Sequence, residues 1–356
     1  MTRTRISRLL NVLNEKELDA YLVTSMPGVR YLTGFSGSNA VCIVTGNRVN
    51  FLTDPRYALQ SKTEVRGARR LIARGGLFEE AAKRRLLHRS KRVGFESNNV
   101  TYAQYRSLKR LFPSVSFVPT ADTIDSLAVV KDRDEVHRIR KAVEVSDKVF
   151  SKVVGILKPG ITELDLAAEI SYLHKKNGAE RDAFETIVAS GVRGSLPHAR
   201  ATAKRIQRGE MVTFDFGCSV DGYNSDITRT VAVGNIPRRM RDMYRVVLEA
   251  QLEAIASARS GMWARDLDAV ARKRIAASGY GKFFIHSLGH GLGLQVHEKP
   301  RISALSKERL VAGNVITIEP GVYVPDVGGV RIEDDVLLTR NGCEVLSKSP
   351  KELLIV

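Results

Sequence analysis

The chain has 356 residues, 43% of them hydrophobic and 27% charged, with a net charge of +17; this is too long for one ordinary core, so two domains are expected. No run approaches the roughly 20 apolar residues of a membrane-spanning helix, and the start, MTRTRISRLLNVLNEKELDAYLV, lacks the apolar core of a secretion signal. The three cysteines, Cys42, Cys218 and Cys343, are odd in number and far apart, which argues against a disulfide framework or a thiolate metal site and leads to a reducing, cytoplasmic setting as the expectation.

Residues 1–124 read as an α/β domain. Ile6, Leu9, Leu10 and Leu13 form the apolar stripe of a first helix. AYLVTS, AVCIVTG and VNFLTD have the composition of strands, EEAAKRRLLHR and TYAQYRSLKRLF the periodicity of helices, and the glycines of GVRYLTGFSGS, Gly28 to Ser38, mark a tight loop. Most of the charge sits here: twenty-one Lys and Arg against nine Asp and Glu up to residue 124, thirty-five against thirty beyond it, with a dense run from Lys62 to Arg92. An anionic partner such as nucleic acid is one reading of that excess. The run has no aromatic interleaving for base stacking, so a solvated basic face is preferred and nucleic acid is not expected. His88 belongs to that face.

Residues 121–131 read as the connection to a second domain, 125–356. A long helix follows, with Val136, Ile139, Val143, Phe150, Val153 and Leu157 at helical spacing and Pro159-Gly160 ending it; His137 falls on its polar side. ITELDLAAEISYLHKKNG is a second helix, with Thr162 as cap and Gly178 as stop. His174, near its end, is explained by the helix dipole. MVTFDFG alternates, Val212, Phe214 and Phe216 on one face and Thr213, Asp215 and Gly217 on the other. After a turn at Asp221-Gly222, SDITRTV puts Asp226, Thr228 and Thr230 on one face. Adjacent strands of this kind present Asp215 and Asp226 side by side, which is costly unless a cation or proton lies between them. Two more amphipathic helices, IPRRMRDMYRVVLEAQLEAIASARSG and ARDLDAVARKRIAASGYG, lead to FFIHSLGHGLGLQVHE, Phe283 to Glu298, then ITIEPGVYV and GGVRIEDDVLL, and the chain closes on a strand-like ELLIV.

The second domain repeats. Asp165-Leu166 matches Asp266-Leu267, and GEMVTFDFG (Gly209 to Gly217) matches GNVITIEPG (Gly313 to Gly321). In that register Asp215 falls on Glu319, and a little further on Asp226 falls on Glu333. Two copies of one unit thus bring four carboxylates around a pseudo-twofold axis, with an imidazole from His286, His290 or His297 beside them. One divalent ion leaves such a set anionic and two balance it; an oxygen-rich set with one nitrogen suits manganese first, with zinc, cobalt or iron as alternatives.

At these residues the chain resembles the pita-bread metallopeptidases, aminopeptidase P and prolidase, with methionine aminopeptidase as a shorter relative. VRYLTGFSGS and LTDPRYALQ are similar to the creatinase-like N-terminal domain of the Xaa-Pro enzymes; SLPHA, FDFG, GYNSDITRT, HSLGHGLGLQVHE, IEPGVYV and GGVRIEDD are similar to the catalytic domain, in order. The resemblance implies an α/β N-terminal domain followed by an α+β pita-bread catalytic domain with an internal pseudo-twofold repeat. It implies five metal ligands, Asp215, Asp226, His290, Glu319 and Glu333, with Asp226 and Glu333 bridging two ions. It further places His198, His286 and His297 near substrate, with Tyr323 and Arg331 beside the metals.

The implied reaction is hydrolysis of the bond between an N-terminal residue and proline by a hydroxide activated between two metals. Glu319 would shuttle the proton, His198 and His297 would stabilise the oxyanion, and His286, Arg331 and Tyr323 would hold the substrate. A homodimer is implied as well. The alternatives are a metal-independent creatinase-type hydrolase and a non-enzymatic binding module with a basic N-terminal domain; both branches lack the full ligand set. The glycines of HSLGHGLG are expected to leave room for the peptide.

Overall fold

The apolar runs of the first third assemble into one mixed sheet. In the computed structural model, which describes residues 2–356, β1 (Ala20–Val23), β2 (Ala40–Thr45), β3 (Arg48–Thr53), β4 (Arg69–Ile72), β5 (Arg92–Glu96) and β6 (Ser116–Thr120) lie in the order β4-β3-β2-β1-β5-β6. The consecutive strands β1, β2 and β3 are antiparallel, and β3–β4, β1–β5 and β5–β6 are parallel. Parallel neighbours need crossovers, and these run through helices among α1 (Thr2–Glu15), α2 (Met26–Thr33), α3 (Gln60–Glu64), α4 (Leu77–Lys83), α5 (Tyr102–Leu111) and α6 (Thr123–Ala128). The unit spans Met1–Ala128.

Two local readings change here. Much of the expected loop Gly28–Ser38 is the helix α2, started by the Ser25 side chain, which accepts the Gly28 N–H, and stopped at Gly34 in the left-handed conformation (φ 83°). The helix expected through EEAAKRRLLHR ends at Lys83. Arg85 takes a left-handed conformation (φ 56°), its N–H reaches Ala82 O and the Leu86 N–H reaches Ala81 O. That is a Schellman stop with arginine where glycine is usual.

The second unit, Val129–Val356, is built twice over. Its first half is α7 (Arg133–Ile156) and α8 (Glu163–Lys176), followed by β7 (Arg181–Asp182), β8 (Ile187–Ser190), β9 (Met211–Phe216), β10 (Cys218–Val220), β11 (Tyr223–Asn224) and β12 (Ile227–Ala232). Its second half is α9 (Arg238–Ser257) and α10 (Ala264–Ala277), followed by β13 (Gly289–Gly291), β14 (Glu298–Ile302), β15 (Val315–Ile318), β16 (Gly321–Val324), β17 (Gly328–Arg331), β18 (Asp334–Leu338) and β19 (Cys343–Val345). Capping boxes at Asp132 and at Thr162 start the first two helices.

Strand alternation decides what each half buries. Val212, Phe214 and Phe216 on β9, with Ile227 and Val231 on β12, pack against α7 and α8. Ile316 and Ile318 on β15, with Val336 and Leu338 on β18, pack against α9 and α10. Each fully buried aromatic or branched side chain contributes roughly 1.5–3 kcal/mol. The intervening residues, Thr213 and Asp215 on one half and Thr317 and Glu319 on the other, therefore turn away from the helices.

Three further details differ from expectation. ELLIV is not a strand; Ile355 makes a single bridge to Ala232. His174 is fully buried and its Nδ1 lies 2.7 Å from Asp182, so a specific partner rather than the helix dipole explains it. Gly289 and Gly291 do not open space for a ligand: a Cβ on Gly289 would stand 2.1 Å from Thr317 O, and one on Gly291 2.0 Å from Lys299 O. Glycine is needed because β13 is squeezed between β14 and β15. Among the described residues no helix is long and apolar enough to cross a membrane.

Candidate metal centre

The faces turned away from the helices line a cavity of about 910 Å³ in the second unit. All five expected ligands, Asp215, Asp226, His290, Glu319 and Glu333, border it, together with His198, His286, His297 and Arg331. Register sets their spacing. β9 and β12 pair Asp215 with Thr228 and Phe216 with Ile227, so Asp226, one residue before β12, lies diagonal to Asp215 rather than opposite it. β15 and β18 pair Ile318 with Asp334, and Glu319 and Glu333 flank that last pair.

Three ligand atoms share one small space. One atom each from Asp226, His290 and Glu333 lie within 4.8 Å of one another. His290 Nε2 is 3.6 Å from Asp226 Oδ2 and 3.3 Å from Glu319 Oε1. Asp215 Oδ2 is held by the Arg331 guanidinium.

The electrostatics call for a cation. Burial pushes the Asp226 and Glu333 carboxyls well above the usual range, and the surrounding carboxylates push them further. Asp215 is raised by burial against the pull of Arg331. Burial works against ionised Glu319 as well, yet its hydrogen bond to His290, with His290, His286 and Arg331 nearby, brings its pKa below the ordinary value. Burial opposes a charge on His290, but the bond to Glu319 raises its pKa overall. His290 Nδ1 faces Gly291 O at 3.1 Å; a carbonyl accepts only, so the proton belongs on Nδ1 in the neutral ring and Nε2 keeps its lone pair toward the carboxylates. Oxygens that repel one another around a free imidazole nitrogen match the donor set of a divalent metal.

Residues that the sequence did not single out as functional hold this set in place. The Thr228 hydroxyl donates to Glu333 Oε2 at 2.6 Å and accepts from Arg331 Nε at 3.1 Å. The Thr317 hydroxyl donates to Glu319 Oε1 at 3.3 Å and accepts the His290 N–H at 3.1 Å. Asp335 accepts the Asp226 N–H at 3.0 Å. The available signal was a threonine two residues from an acid on the same strand face: Thr228 after Asp226, Thr317 before Glu319.

The expected substrate-side residues separate into two groups. His286, Tyr323 and Arg331 form a relay: His286 Nε2 meets Tyr323 OH at 2.9 Å, and Arg331 Nη1 donates to that oxygen at 2.6 Å. His286 Nδ1 faces Ser287 O at 2.8 Å, and burial lowers its pKa, so the ring is neutral with its proton on Nδ1 and accepts from Tyr323. Both nitrogens are thereby engaged within the protein. His198 and His297 are exposed to the cavity instead, and the His297 ring lies 4.2 Å from that of His290. Beside His297, Glu298 forms a buried ion pair with Lys131 at 2.5 Å.

Comparison with known proteins places this arrangement. Residues 137–340 match metallopeptidase family M24, and residues 5–130 match the creatinase/prolidase N-terminal domain. The Xaa-Pro dipeptidase of Pyrococcus furiosus is 39% identical over 352 residues, covering 99% of this chain and 100% of the relative. Among solved structures, the Xaa-Pro dipeptidase from Bacillus anthracis is 37% identical with a TM-score of 0.97, covering 100% of both chains. The X-Pro aminopeptidase from Thermotoga maritima is 36% identical with a TM-score of 0.90, covering 96% of this chain and 98% of that one.

Proposed function

The chain belongs to metallopeptidase family M24, and from that membership we propose a metal-dependent hydrolase that cleaves the peptide bond between an N-terminal residue and proline. The observation that carries the reading is the convergence of Asp215, Asp226, His290, Glu319 and Glu333 on one cavity. These five would hold the divalent ions. Manganese suits the oxygen-rich set best. A homodimer in the cytoplasm is the assembly and setting that go with this reading.

Bound divalent ions supply Lewis acidity toward the scissile carbonyl and acidify water near neutral pH. The protein supplies the rest. The nitrogen of an Xaa-Pro bond carries no hydrogen, so the departing proline must gain a proton. Glu319, ionised beside His290, takes a proton from the attacking water at its carboxylate and passes it to that nitrogen as the C–N bond breaks. His198 and His297, exposed to the cavity, donate hydrogen bonds to the carbonyl oxygen as charge builds on it. Arg331 fixes Asp215 and Tyr323, and Tyr323 fixes the neutral tautomer of His286; this relay shapes the wall on which the substrate rests.

The test is chromatographic. Xaa-Pro dipeptides and longer peptides with proline second are incubated with enzyme stripped by chelation, then with added manganese. Cleavage before proline that depends on the metal is expected. Turnover that resists prolonged chelation, or no cleavage of either substrate class, would sink the reading.

A further inference from the structure

The charge excess of the first third finds no use in peptide hydrolysis. A second cavity, of about 620 Å³, lies in the N-terminal unit and is bordered by Arg48, Arg69, Arg84, Arg85 and Arg89, with no carboxylate on its wall. We propose that this cavity binds a compact anion carrying two or more phosphate groups.

The sheet builds its floor. β3 pairs with β2 so that Arg48 faces Thr45, and with β4 so that Asn50 faces Arg69. Arg48 and Asn50 are two apart on one strand, so Arg48, Asn50 and Arg69 share one sheet face. The opposite wall comes from the segment just after α4, including Arg84, Arg85, His88 and Arg89.

Three observations point to an anionic ligand. Only Arg84 has a carboxylate partner, Glu80 at 2.5 Å; among the described residues Arg48, Arg69, Arg85 and Arg89 have none, so several guanidinium groups share one concave space uncompensated. Asn50 is 3% exposed and its Oδ1 has no hydrogen-bond partner. Turning the carboxamide over to present its N–H groups to an anion breaks no hydrogen bond at that oxygen. Third, Arg85 holds the left-handed position (φ 56°) that ends α4. A non-glycine residue there costs about 1–2 kcal/mol, and the structure keeps a guanidinium at that position on the cavity wall.

Guanidinium forks suit phosphate oxygens. The lack of phenylalanine, tyrosine or tryptophan on the wall favours a small polyphosphate over a nucleic-acid strand, which would use stacking surfaces along a groove.

The experiment uses the full-length, metal-loaded enzyme, titrated calorimetrically with inorganic tripolyphosphate in excess magnesium, which saturates the chelating oxygens of the probe. Saturable binding is expected, weaker at higher salt. It should fall about ten-fold or more in the double variant Arg69→Ala/Arg89→Ala while hydrolysis before proline is unchanged. Both side chains are exposed, so the fold is retained. Arg85→Gly gives an independent check: affinity falls while thermal stability holds or rises, because glycine relieves the strained position. A parallel titration with ATP separates sources of the same chemistry. Tighter binding than tripolyphosphate assigns a nucleotide; equal binding assigns the phosphates alone. Identical titrations of wild type and double variant overturn the site. So does binding of single-stranded DNA that strengthens with length and is lost in the same variant, which would replace the polyphosphate with nucleic acid.

Discussion

The Thr228 hydroxyl donates to Glu333 Oε2 at 2.6 Å, tying a strand of the first repeat to a carboxylate of the second. Because Thr228 also accepts from Arg331 Nε, its hydrogen can point only toward Glu333. Thr228→Val keeps the shape and removes that bond. Metal affinity is expected to fall by about 10–100-fold, with turnover recovered at saturating metal. Metal titration of activity checks this; an unchanged titration would show that Glu333 needs no such support.

Asp226→Asn removes one of the repelling charges. Activity should drop by two orders of magnitude or more, on the order of what loss of a ligand's support costs, while circular dichroism stays native. The chelated variant should melt slightly higher than chelated wild type, because a buried like charge has gone. A fully active variant contradicts the two-metal reading.

The same repulsion predicts how pH acts on the metal-free protein. Asp226 and Glu333 ordinarily titrate near 3.8 and 4.5, and in the fold both are raised well above those values. A carboxyl raised on folding contributes stability that is complete below its unfolded pKa and is lost as pH rises toward its folded one. Bound metal reverses this by favouring the ionised forms. The melting-temperature gap between metal-loaded and chelated enzyme should therefore widen as pH rises above the ordinary carboxylate range toward neutrality. Scanning calorimetry across that range measures it; a gap independent of pH would contradict the argument.

Tyr323→Phe leaves Arg331 Nη1 and His286 Nε2 without the oxygen they share. Stability should fall by about 1–3 kcal/mol, read as a lower urea midpoint. The freed histidine should also shift the pH profile of kcat/KM. Unchanged values of both would show that the relay has no role in holding the cavity wall.

Much of the centre is legible in the sequence because alternation is local. Val212, Phe214 and Phe216 announce which way Asp215 points, and the matched Gly209–Gly217 and Gly313–Gly321 segments announce that Glu319 is its counterpart. What fails to show is whatever depends on distant backbone. The diagonal offset of Asp226 from Asp215 is set by β10 and β11, which lie between β9 and β12 in the chain. Gly289 and Gly291 of HSLGHGLG answer to Thr317 and Lys299, residues of other strands. The partner of His174 is Asp182, reached only after the chain turns. The end of α4 is hidden for a different reason: its left-handed residue is Arg85, and no glycine marks the stop.

The two repeats are copies in backbone but not in chemistry. Asp215 faces Arg331, a cation at every physiological pH; its counterpart Glu319 faces His290, whose Nε2 keeps a lone pair in the neutral ring. A truly symmetric frame could not distinguish the two ends of a peptide laid across it. Here one end of the frame carries a fixed positive charge and the other a neutral nitrogen donor, so the cleft has a built-in polarity.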